Sequence, residues 1–463
     1  CRDLPSGYDV RDALLANGRT LKDRQQGLDS LLARVREVPD EWGASPTKKS
    51  GGKKGEALEC LPCENYKTLN TAWRKALRWT PGLDHAMAVM LASIASTKTV
   101  GDQLWVKIIG PAACGKSTLC EAVSVASKYV LAKSTIRGFH SGFRPDGGGG
   151  EDCSLLSLVN GKTLVTKDGD TLLQSPNLPQ ILSEGRDVYD GTSRSHYRNQ
   201  MGKDYQNMRM TWILCGTSSL RSIDSSELGE RFLDCVIMEG IDDELEDAIL
   251  DRVIHRADAN MSLSTDGDAA SQQAPEMIEA MRLTGGYVHW LRENAQDVLS
   301  RIVFPDWAKQ RVKWLAKFVA YMRARPSRVQ EEVAEREFAS RLASQLIRLA
   351  KCLALVLNRK EVDEAVMDRT RQVALDTSRG RTQSIVAYIY DQEHGAEARS
   401  VAMMLGLQEA EVKRLLRFLG KIGVVELRQE KRAGIVGKPL WRLTHKIKKL
   451  YYEVRLKPYS LET

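Results

Sequence analysis

The sequence predicts an α/β protein whose core is a parallel sheet with a phosphate-binding loop, followed by a helical region and a C-terminal winged helix. Three observations predict this class. Residues 110–118 fit a phosphate-loop pattern, short apolar runs alternate with helical or looped crossovers over 101–240, and the C-terminal part is rich in Lys and Arg. With 463 residues, 42% of them hydrophobic, the chain has room for about three structural units.

The phosphate-binding loop matches G-x-x-x-x-G-K-[ST] at every fixed position. An apolar run at 104–109 predicts a buried strand before it, and apolar residues at helical spacing over 119–130 predict a helix after it. Backbone N–H groups at such a turn can bind the phosphates of ATP, Lys116 can reach the β and γ oxygens, and Ser117 can bind Mg²⁺. The residues predicted to bind the nucleotide are Gly110, Pro111, Ala112, Ala113, Cys114, Gly115, Lys116, Ser117 and Thr118.

A second metal-directed group is expected at the end of a neighbouring core strand. The apolar run 163–166 predicts that strand, and Lys167-Asp168-Gly169-Asp170 follows it. We assign the second Mg²⁺-directed role to Asp168, because an acid at this place would face the phosphate loop. Asp170 is the alternate, and a simple turn aspartate is the other interpretation.

Over about residues 100–375 these features resemble an AAA+ ATPase, and within that class the minichromosome-maintenance-like helicases and phage-type primase-helicases. The resemblance rests on the order and spacing of the motifs. It implies a sensor 1 role for Thr217, which ends the apolar run 211–215, a trans-acting role for Arg231 in a neighbour's site, and a sensor 2 role for Arg341 in a helical lid. A surface ion pair is the alternative for each arginine.

The resemblance also implies two segments that face DNA. One is the long excursion 133–161, and the other is a predicted hairpin around Lys203. Contacts to single-stranded DNA there would be mainly electrostatic, with some stacking on aromatic rings. The residues assigned to these contacts are Arg137, Phe139, Arg144, Tyr197, Arg198 and Lys203.

One position departs from the family pattern. The second core strand of those helicases ends in Asp-Glu, whereas this chain has Lys167-Asp168. A lysine where an acid is expected leaves the identity of the catalytic base open. Phage-type relatives share a similar Lys-Asp pattern followed by Tyr-Asp-Gly, which is found here at Tyr189-Asp190-Gly191.

The N-terminal part carries two further segments. Residues 1–42 resemble the tail that follows the catalytic part of Toprim primase domains, with an ordinary small helical cap as the alternative. This resemblance implies a primase activity upstream in a longer chain, in keeping with a first residue that is Cys1 rather than Met. Residues 43–59 are rich in Gly, Ser, Lys and Pro and predict a flexible linker.

The nine cysteines are scattered and imply no disulfide framework. Cys60 and Cys63 form half of a zinc pattern, but zinc needs four ligands, and two ordinary thiols are the favoured interpretation. Other cysteines fall inside predicted strands or helices and are expected to be small buried hydrophobes in a reducing compartment. These are Cys120, Cys215, Cys235 and Cys352.

The C-terminal part predicts a winged helix, with a helix over 409–419 in the recognition position and a β-hairpin after it. Lys413, Arg414 and Arg417 lie on that helix and are assigned to DNA binding, with protein contacts as the alternative. The predicted domains are a Toprim tail (1–42), a linker (43–59), a helical collar (60–100), the ATPase core (101–240), a connector with a helical lid (241–380) and the winged helix (381–463).

Together these features predict an ATP-dependent DNA helicase of a phage or mobile-element replication system, which forms a homo-hexamer or similar ring and moves on single-stranded DNA. The alternatives are an AAA+ initiator or loader that remodels DNA without processive unwinding, and an ATP-switched winged-helix regulator. A net charge of +8, with basic residues crowded near the C-terminus, favours a nucleic-acid partner. Because there is neither a signal peptide nor a bilayer-length apolar run, we expect no membrane contact and a cytoplasmic location in a bacterial or phage-infected cell.

Overall fold

The computed structural model of the chain describes most of the residues from 58 onwards. Three predicted DNA-binding residues, Arg144, Tyr197 and Arg198, lie outside the described residues, as do the Toprim tail and most of the linker and the connector. The described ranges are 58–141, 152–196, 202–225, 231–237, 274–324, 338–378, 380–429, 431–432, 435–436 and 438–454, together with residues 247, 250, 251 and 254.

A five-stranded, all-parallel sheet forms the centre of the fold. The strands described are, in chain order, β1 (Trp105–Ile109), β2 (Val130–Lys133), β3 (Thr163–Thr166), β4 (Ser193–His196), β5 (Gly202–Tyr205), β6 (Thr211–Gly216), β7 (Phe232–Val236), β8 (Val425–Arg428), β9 (Lys431–Arg432), β10 (Ile435–Val436) and β11 (Leu440–Leu443). The central sheet has the order β2-β3-β6-β1-β7, and β1 pairs in parallel with both β6 and β7. The prediction of an α/β chain around a parallel sheet is therefore confirmed.

Helices cover both faces of this sheet. They are α1 (Tyr66–Ala76), α2 (Pro81–Ser96), α3 (Lys116–Ser124), α4 (Leu155–Val159), α5 (Gly169–Leu173), α6 (Leu178–Tyr189), a 3₁₀ helix (Ser218–Ser225), α7 (Pro275–Arg301), α8 (Asp306–Arg323), α9 (Ser340–Val356), α10 (Glu364–Ser378), α11 (Arg381–Asp391), α12 (Ala398–Leu405), α13 (Glu409–Lys421) and α14 (His445–Val454).

The strands of the central sheet are covered on both faces, so each of them contributes to two cores. Along β1, Trp105 points into one core and Val106 into the other. The first core is aromatic, because the ring centroid of Trp105 lies 5.1 Å from that of Tyr189 and 5.3 Å from those of Trp212 and Phe232. Each such pair contributes about 0.5–1.5 kcal/mol beyond its buried area, so this cluster fixes the end of α6 against the sheet.

A buried ion pair joins the phosphate-loop strand to the edge strand β7. Lys107 and Asp234 are register partners, and their Nζ and Oδ1 atoms lie 3.0 Å apart. Both side chains are buried, where a charge is tolerated only when it is paired. Asp234 therefore lies inside β7, although the apolar run 235–238 predicts a last core strand that begins only after it.

Helix α2 lies at the centre of the fold. Thr80 caps it by accepting a hydrogen bond from the Leu83 N–H at 3.2 Å, and Pro81 takes the first helical position, where no N–H is needed. Every residue from Leu83 to Ser96 is buried, since the helix is apolar on nearly all sides and contacts both α9 and the strands of the sheet. The predicted collar segment thus contains a helix that packs directly on the core.

The C-terminal part combines α11 to α14 with short antiparallel strands. β8 pairs with β11 from Val425 opposite Leu443, and a further bridge joins Ala396 to Trp441. Helix α14 packs against α8, which fixes this part on the helical region.

Candidate nucleotide site

The phosphate-binding loop connects β1 to α3 at the point where the strand order changes direction. In open parallel sheets, ligands bind beyond the carboxyl ends of the strands at such a point. The Gly110 N–H donates to the Gly216 carbonyl at 3.2 Å, which ties the start of the loop to the end of β6. Gly115 has φ 93°, and a Cβ there would lie 3.0 Å from Cδ2 of Leu83, so the loop requires glycine at this position.

Lys116 bends back over the loop. Its Nζ donates to the Gly110 carbonyl at 2.8 Å and to the Pro111 carbonyl at 2.5 Å, and lies 3.6 Å from Sγ of Cys114. Neutral carbonyls bind an ammonium group less strongly than an anion does. The Lys116 ammonium can therefore exchange these partners for phosphate oxygens. The hydroxyl-bearing residue that follows, Ser117, is exposed at the start of α3.

Asp168 and Asp170 have different surroundings. Asp168 is exposed and caps α5, because its carboxylate accepts hydrogen bonds from the N–H of Thr171 at 3.0 Å and from its hydroxyl. Asp170 instead accepts from the Thr217 N–H at 2.9 Å and the Thr217 hydroxyl at 3.0 Å, and also from the Ser219 hydroxyl. The predicted sensor 1 residue is thus bonded to the alternate acid and not to the first choice.

Charge also favours Asp170. Burial acts to raise the pKa of its carboxyl, but the hydrogen bonds from Ser219 and Thr217 and the positive charge of Lys116 outweigh burial and lower the pKa. The carboxylate is therefore ionised at neutral pH and within electrostatic reach of the phosphate loop. Among the two acids, Asp170 is the better placed to act on a nucleotide bound there.

Lys167, the residue that departs from the family pattern, has a counter-ion. Its Nζ lies 3.5 Å from Oε1 of Glu121, which stands on α3 one turn beyond Ser117. Both side chains are partly exposed, so this pair contributes little stability, about 0–1 kcal/mol. The pair holds the Lys167 ammonium beside α3, one turn from Ser117. Sequence reasoning missed Glu121, because the contact between α3 and the residue after β3 is tertiary.

The structure corrects the prediction for Arg231. Its exposed fraction is 6%, and its Nη2 donates to Oδ2 of Asp190 at 2.8 Å while the guanidinium lies over the Tyr189 ring at 5.3 Å. The Arg231 carbonyl accepts a hydrogen bond from Gln345 on α9 at 2.8 Å. Because the guanidinium is buried and paired within its own chain, its visible role is to hold α6, β7 and α9 together, which argues against the predicted trans-acting role.

Arg341 lies in the first turn of α9 and is partly exposed. Burial raises the pKa of the Tyr189 hydroxyl, and the charge of Arg341 is among the influences that oppose this rise. Arg341 thus lies near the junction of α6, β7 and α9.

The predicted hairpin is confirmed as the antiparallel pair β4 and β5. Lys203 on β5 bonds to the Asp152 carboxylate and to the Ser154 hydroxyl at 2.8 Å, and the Tyr205 hydroxyl also bonds to Asp152. The Lys203 side chain is only 14% exposed and its ammonium is paired with Asp152, which argues against the predicted DNA contact. Lys203 joins the hairpin to the end of the excursion.

His140 makes a second connection between the excursion and the hairpin. Its Nε2 lies 2.8 Å from the Ser193 hydroxyl oxygen and its Nδ1 lies 3.1 Å from that of Ser195. Burial lowers the pKa of His140, so the neutral ring donates to one hydroxyl and accepts from the other. The two predicted DNA-facing segments are therefore one linked structure.

The structure also corrects Phe139. Its side chain is fully buried and packs 5.3 Å from Trp212 in the aromatic core, so it cannot stack on a base. Arg137, two residues earlier, is exposed and stays available for a phosphate contact.

The exposed cations of α13 lie as the sequence predicted. Lys413, Arg414 and Arg417 are all exposed, and Lys413 pairs with Glu409 at 2.6 Å.

Cys60 and Cys63 form no metal site among the described residues. Burial raises the pKa of both thiols, and Cys63 donates to the Asn65 carbonyl at 3.6 Å. Both are protonated thiols at neutral pH.

The chain was compared with known proteins. No model of a known family matches this chain, and no curated protein matches its sequence. Within the described part of the chain, every helix is either too short or too polar to cross a lipid bilayer.

Proposed function

We propose that the chain is an ATPase whose site is the phosphate-binding loop together with Asp170 and Thr217. The observation that carries this proposal is the convergence of these groups at the carboxyl edge of the parallel sheet. The loop supplies backbone donors and Lys116 for the phosphates, while Asp170 supplies an ionised carboxylate bonded to Thr217. Phosphoryl transfer needs this combination of positioning and charge.

The residues also suit Mg²⁺. The ion prefers oxygen ligands, and the exposed hydroxyl of Ser117 and a carboxylate from Asp170 or Asp168 would provide them. When bound, Mg²⁺ neutralises charge that develops on the transferring phosphoryl group. Lys167 opposes a cation next to Asp168, although Glu121 offsets its charge. The balance favours Asp170 as the acid directed at the metal.

The proposal extends to a DNA helicase. Helices α7 to α10 follow the core as a lid would, and α12, α13 and the β8–β11 pair follow the order of a winged helix. The exposed cations of α13 would contact duplex or single-stranded phosphates, while Arg137 beside the linked hairpin would contact a single strand. We propose a homo-hexamer or similar ring. In it, Arg341 acts as the sensor 2 arginine of the helical lid, and a cation other than Arg231 acts across the subunit boundary.

A forked DNA duplex with one labelled strand tests this function. The full chain with ATP and Mg²⁺ is expected to hydrolyse ATP faster when single-stranded DNA is present and to separate the strands. Stimulated hydrolysis without strand separation would indicate an initiator or loader instead. Tight duplex binding that needs no ATP, with hydrolysis indifferent to DNA, would indicate a regulator. Absence of hydrolysis by a folded chain would refute the ATPase proposal itself.

The basic face of α13 leads to a specific prediction about DNA binding. Changing Lys413, Arg414 and Arg417 together to alanine is expected to weaken binding by at least about tenfold near physiological salt, because three phosphate contacts are lost. The slope of log affinity against log salt should become shallower by about 3. Fluorescence anisotropy over a salt series measures both quantities.

A matched control lies on α8. Lys309, Lys313 and Lys317 are exposed, and Lys309 pairs with an acid on the same helix as Lys413 does on α13. Their triple alanine variant removes the same charge and should leave the salt slope within error of the wild type. Equal losses in both variants would show that α13 is not a specific DNA contact.

A further inference from the structure

Three metal-binding side chains meet in the interior, behind the nucleotide site. They are His85 on α2, Cys235 on β7 and Asp376 on α10, and one donor atom of each lies within 4.8 Å of the others. Their exposed fractions are 8%, 0% and 0%. Among the described residues, no other group of three or more such side chains lies this close together. Its members come from parts of the chain far apart in sequence.

His85 supplies the second observation. Its Nε2 is buried and makes no hydrogen bond to any of the described residues. An unsatisfied buried polar nitrogen costs about 1–3 kcal/mol, so its retention in a close-packed interior calls for a partner. Burial lowers the pKa of His85 to about 3, and the imidazole is therefore neutral, which is the form that binds metal ions.

We propose that His85, Cys235 and Asp376 bind one Zn²⁺ ion. Imidazole nitrogen, thiolate sulfur and carboxylate oxygen are the three donor types that Zn²⁺ takes in proteins. With bond lengths of about 2.0–2.3 Å, tetrahedral donors lie roughly 3.5 Å apart, so donor atoms now within 4.8 Å of one another need to approach by up to about 1.3 Å. A hard ion such as Mg²⁺ would not choose a site with sulfur and nitrogen donors.

The surroundings of Asp376 suit a ligand. Its Oδ2 accepts the Val236 N–H at 2.7 Å and its Oδ1 accepts from Gln372 Nε2 at 3.0 Å. These bonds orient the carboxylate, and a carboxylate offers about four acceptor positions in all. Two cations act on the cluster, Arg221 on Asp376 and Arg369 on His85, and Arg369 forms a buried pair with Asp84. Burial raises the pKa of Asp376 to about 7, so a bound ion would displace a proton from part of the molecules.

A bound ion would restrain the packing of three elements of the fold. The ion would join α2, β7 and α10, and the N-terminal turn of α2 places Leu83 against Gly115 of the phosphate loop. The ion would therefore fix α10 relative to the nucleotide site, with a water molecule in the fourth tetrahedral position. This inference does not depend on the chain being an ATPase.

The test uses the full chain, stripped with a chelator and titrated with Co²⁺ alone. We expect one Co²⁺ per chain, with a near-ultraviolet thiolate-to-cobalt band and visible bands typical of tetrahedral Co²⁺, and displacement of both by added Zn²⁺. Cys235→Ser should abolish the thiolate band, and His85→Gln should keep it while weakening Co²⁺ binding at least about tenfold. Cys352→Ser, another buried thiol, and the double change of Cys60 and Cys63 to serine should leave the band unchanged.

Several outcomes would overturn the proposed zinc site. A thiolate band that survives in Cys235→Ser, or that disappears equally in Cys352→Ser, would overturn the site. If Cys235→Ser does not fold by circular dichroism, the wild type and His85→Gln decide instead. A folded, metal-free wild type that gives no thiolate band with Co²⁺, or a His85→Gln variant with unchanged affinity, would also overturn it.

Discussion

Replacing Lys116 by alanine is expected to lower the rate of ATP hydrolysis by about 10²- to 10³-fold, the loss seen when one preorganised charge or donor is removed from a reacting centre. The Lys116 Nζ now bonds to two loop carbonyls, at 2.8 Å on Gly110 and 2.5 Å on Pro111. In the alanine variant those carbonyl dipoles would face the phosphates without a cation between them. Phosphate release at saturating ATP and Mg²⁺ measures the effect.

The matched control is Lys98→Ala, which removes an exposed lysine that precedes β1. It changes the net charge equally and should leave hydrolysis within about twofold of the wild type, since surface charges far from a site act weakly at physiological salt. Comparable unfolding temperatures for both variants would separate chemistry from stability. Near-normal hydrolysis by a folded Lys116→Ala protein would place the ATPase site elsewhere.

Sequence reasoning predicted the sheet because buried parallel strands have a strong local signal. Three of the five strands of the central sheet, β1, β3 and β6, were predicted close to their observed places, as apolar runs with clear ends. β2 was missed, because Val130 continues the helical spacing of apolar residues after the phosphate loop although it begins a strand. β7 was placed too late, because Asp234 interrupts its apolar run. The aspartate is buried only because Lys107 stands opposite it on β1. That pairing depends on the strand order, which no local pattern contains.

The predicted roles of Phe139 and Arg231 also failed because of tertiary contacts that no local pattern contains. Phe139 and Arg231 carry residue types that suit DNA and phosphate, and their motif positions favoured exposed roles. Burial decides otherwise: Phe139 completes an aromatic core with Trp212, and Arg231 pairs with Asp190. Composition and spacing identify which groups are available, but tertiary contacts decide which of them face a ligand.

Removing the negative charge of Asp170 is expected to reduce ATP hydrolysis much more than removing that of Asp168. Asp170→Asn is expected to lower ATP hydrolysis by about 10²-fold, whereas Asp168→Asn should lower it by less than about tenfold. Both changes keep the shape of the side chain. Asparagine at 170 can still accept from Thr217, and asparagine at 168 remains a good helix cap for α5. The comparison therefore isolates the negative charge at each position.

The physical reason for the difference is the field at each carboxylate. Asp170 is bonded to Thr217 and interacts with the charge of Lys116, while Asp168 is exposed beside Lys167. Because the pKa of Asp170 is lowered below its usual value, the group stays ionised across about pH 5 to 9, and the effect of Asp170→Asn should be constant over that range. Its ionised form would be lost only as the pH falls through the lowered pKa.

A titration of rate against Mg²⁺ completes the test, since removal of a metal-directed acid raises the Mg²⁺ concentration required for half-maximal hydrolysis. If Asp168→Asn proves the more damaging change and shifts the Mg²⁺ requirement, the metal-directed acid is Asp168, and the bond between Asp170 and Thr217 serves to position the end of β6.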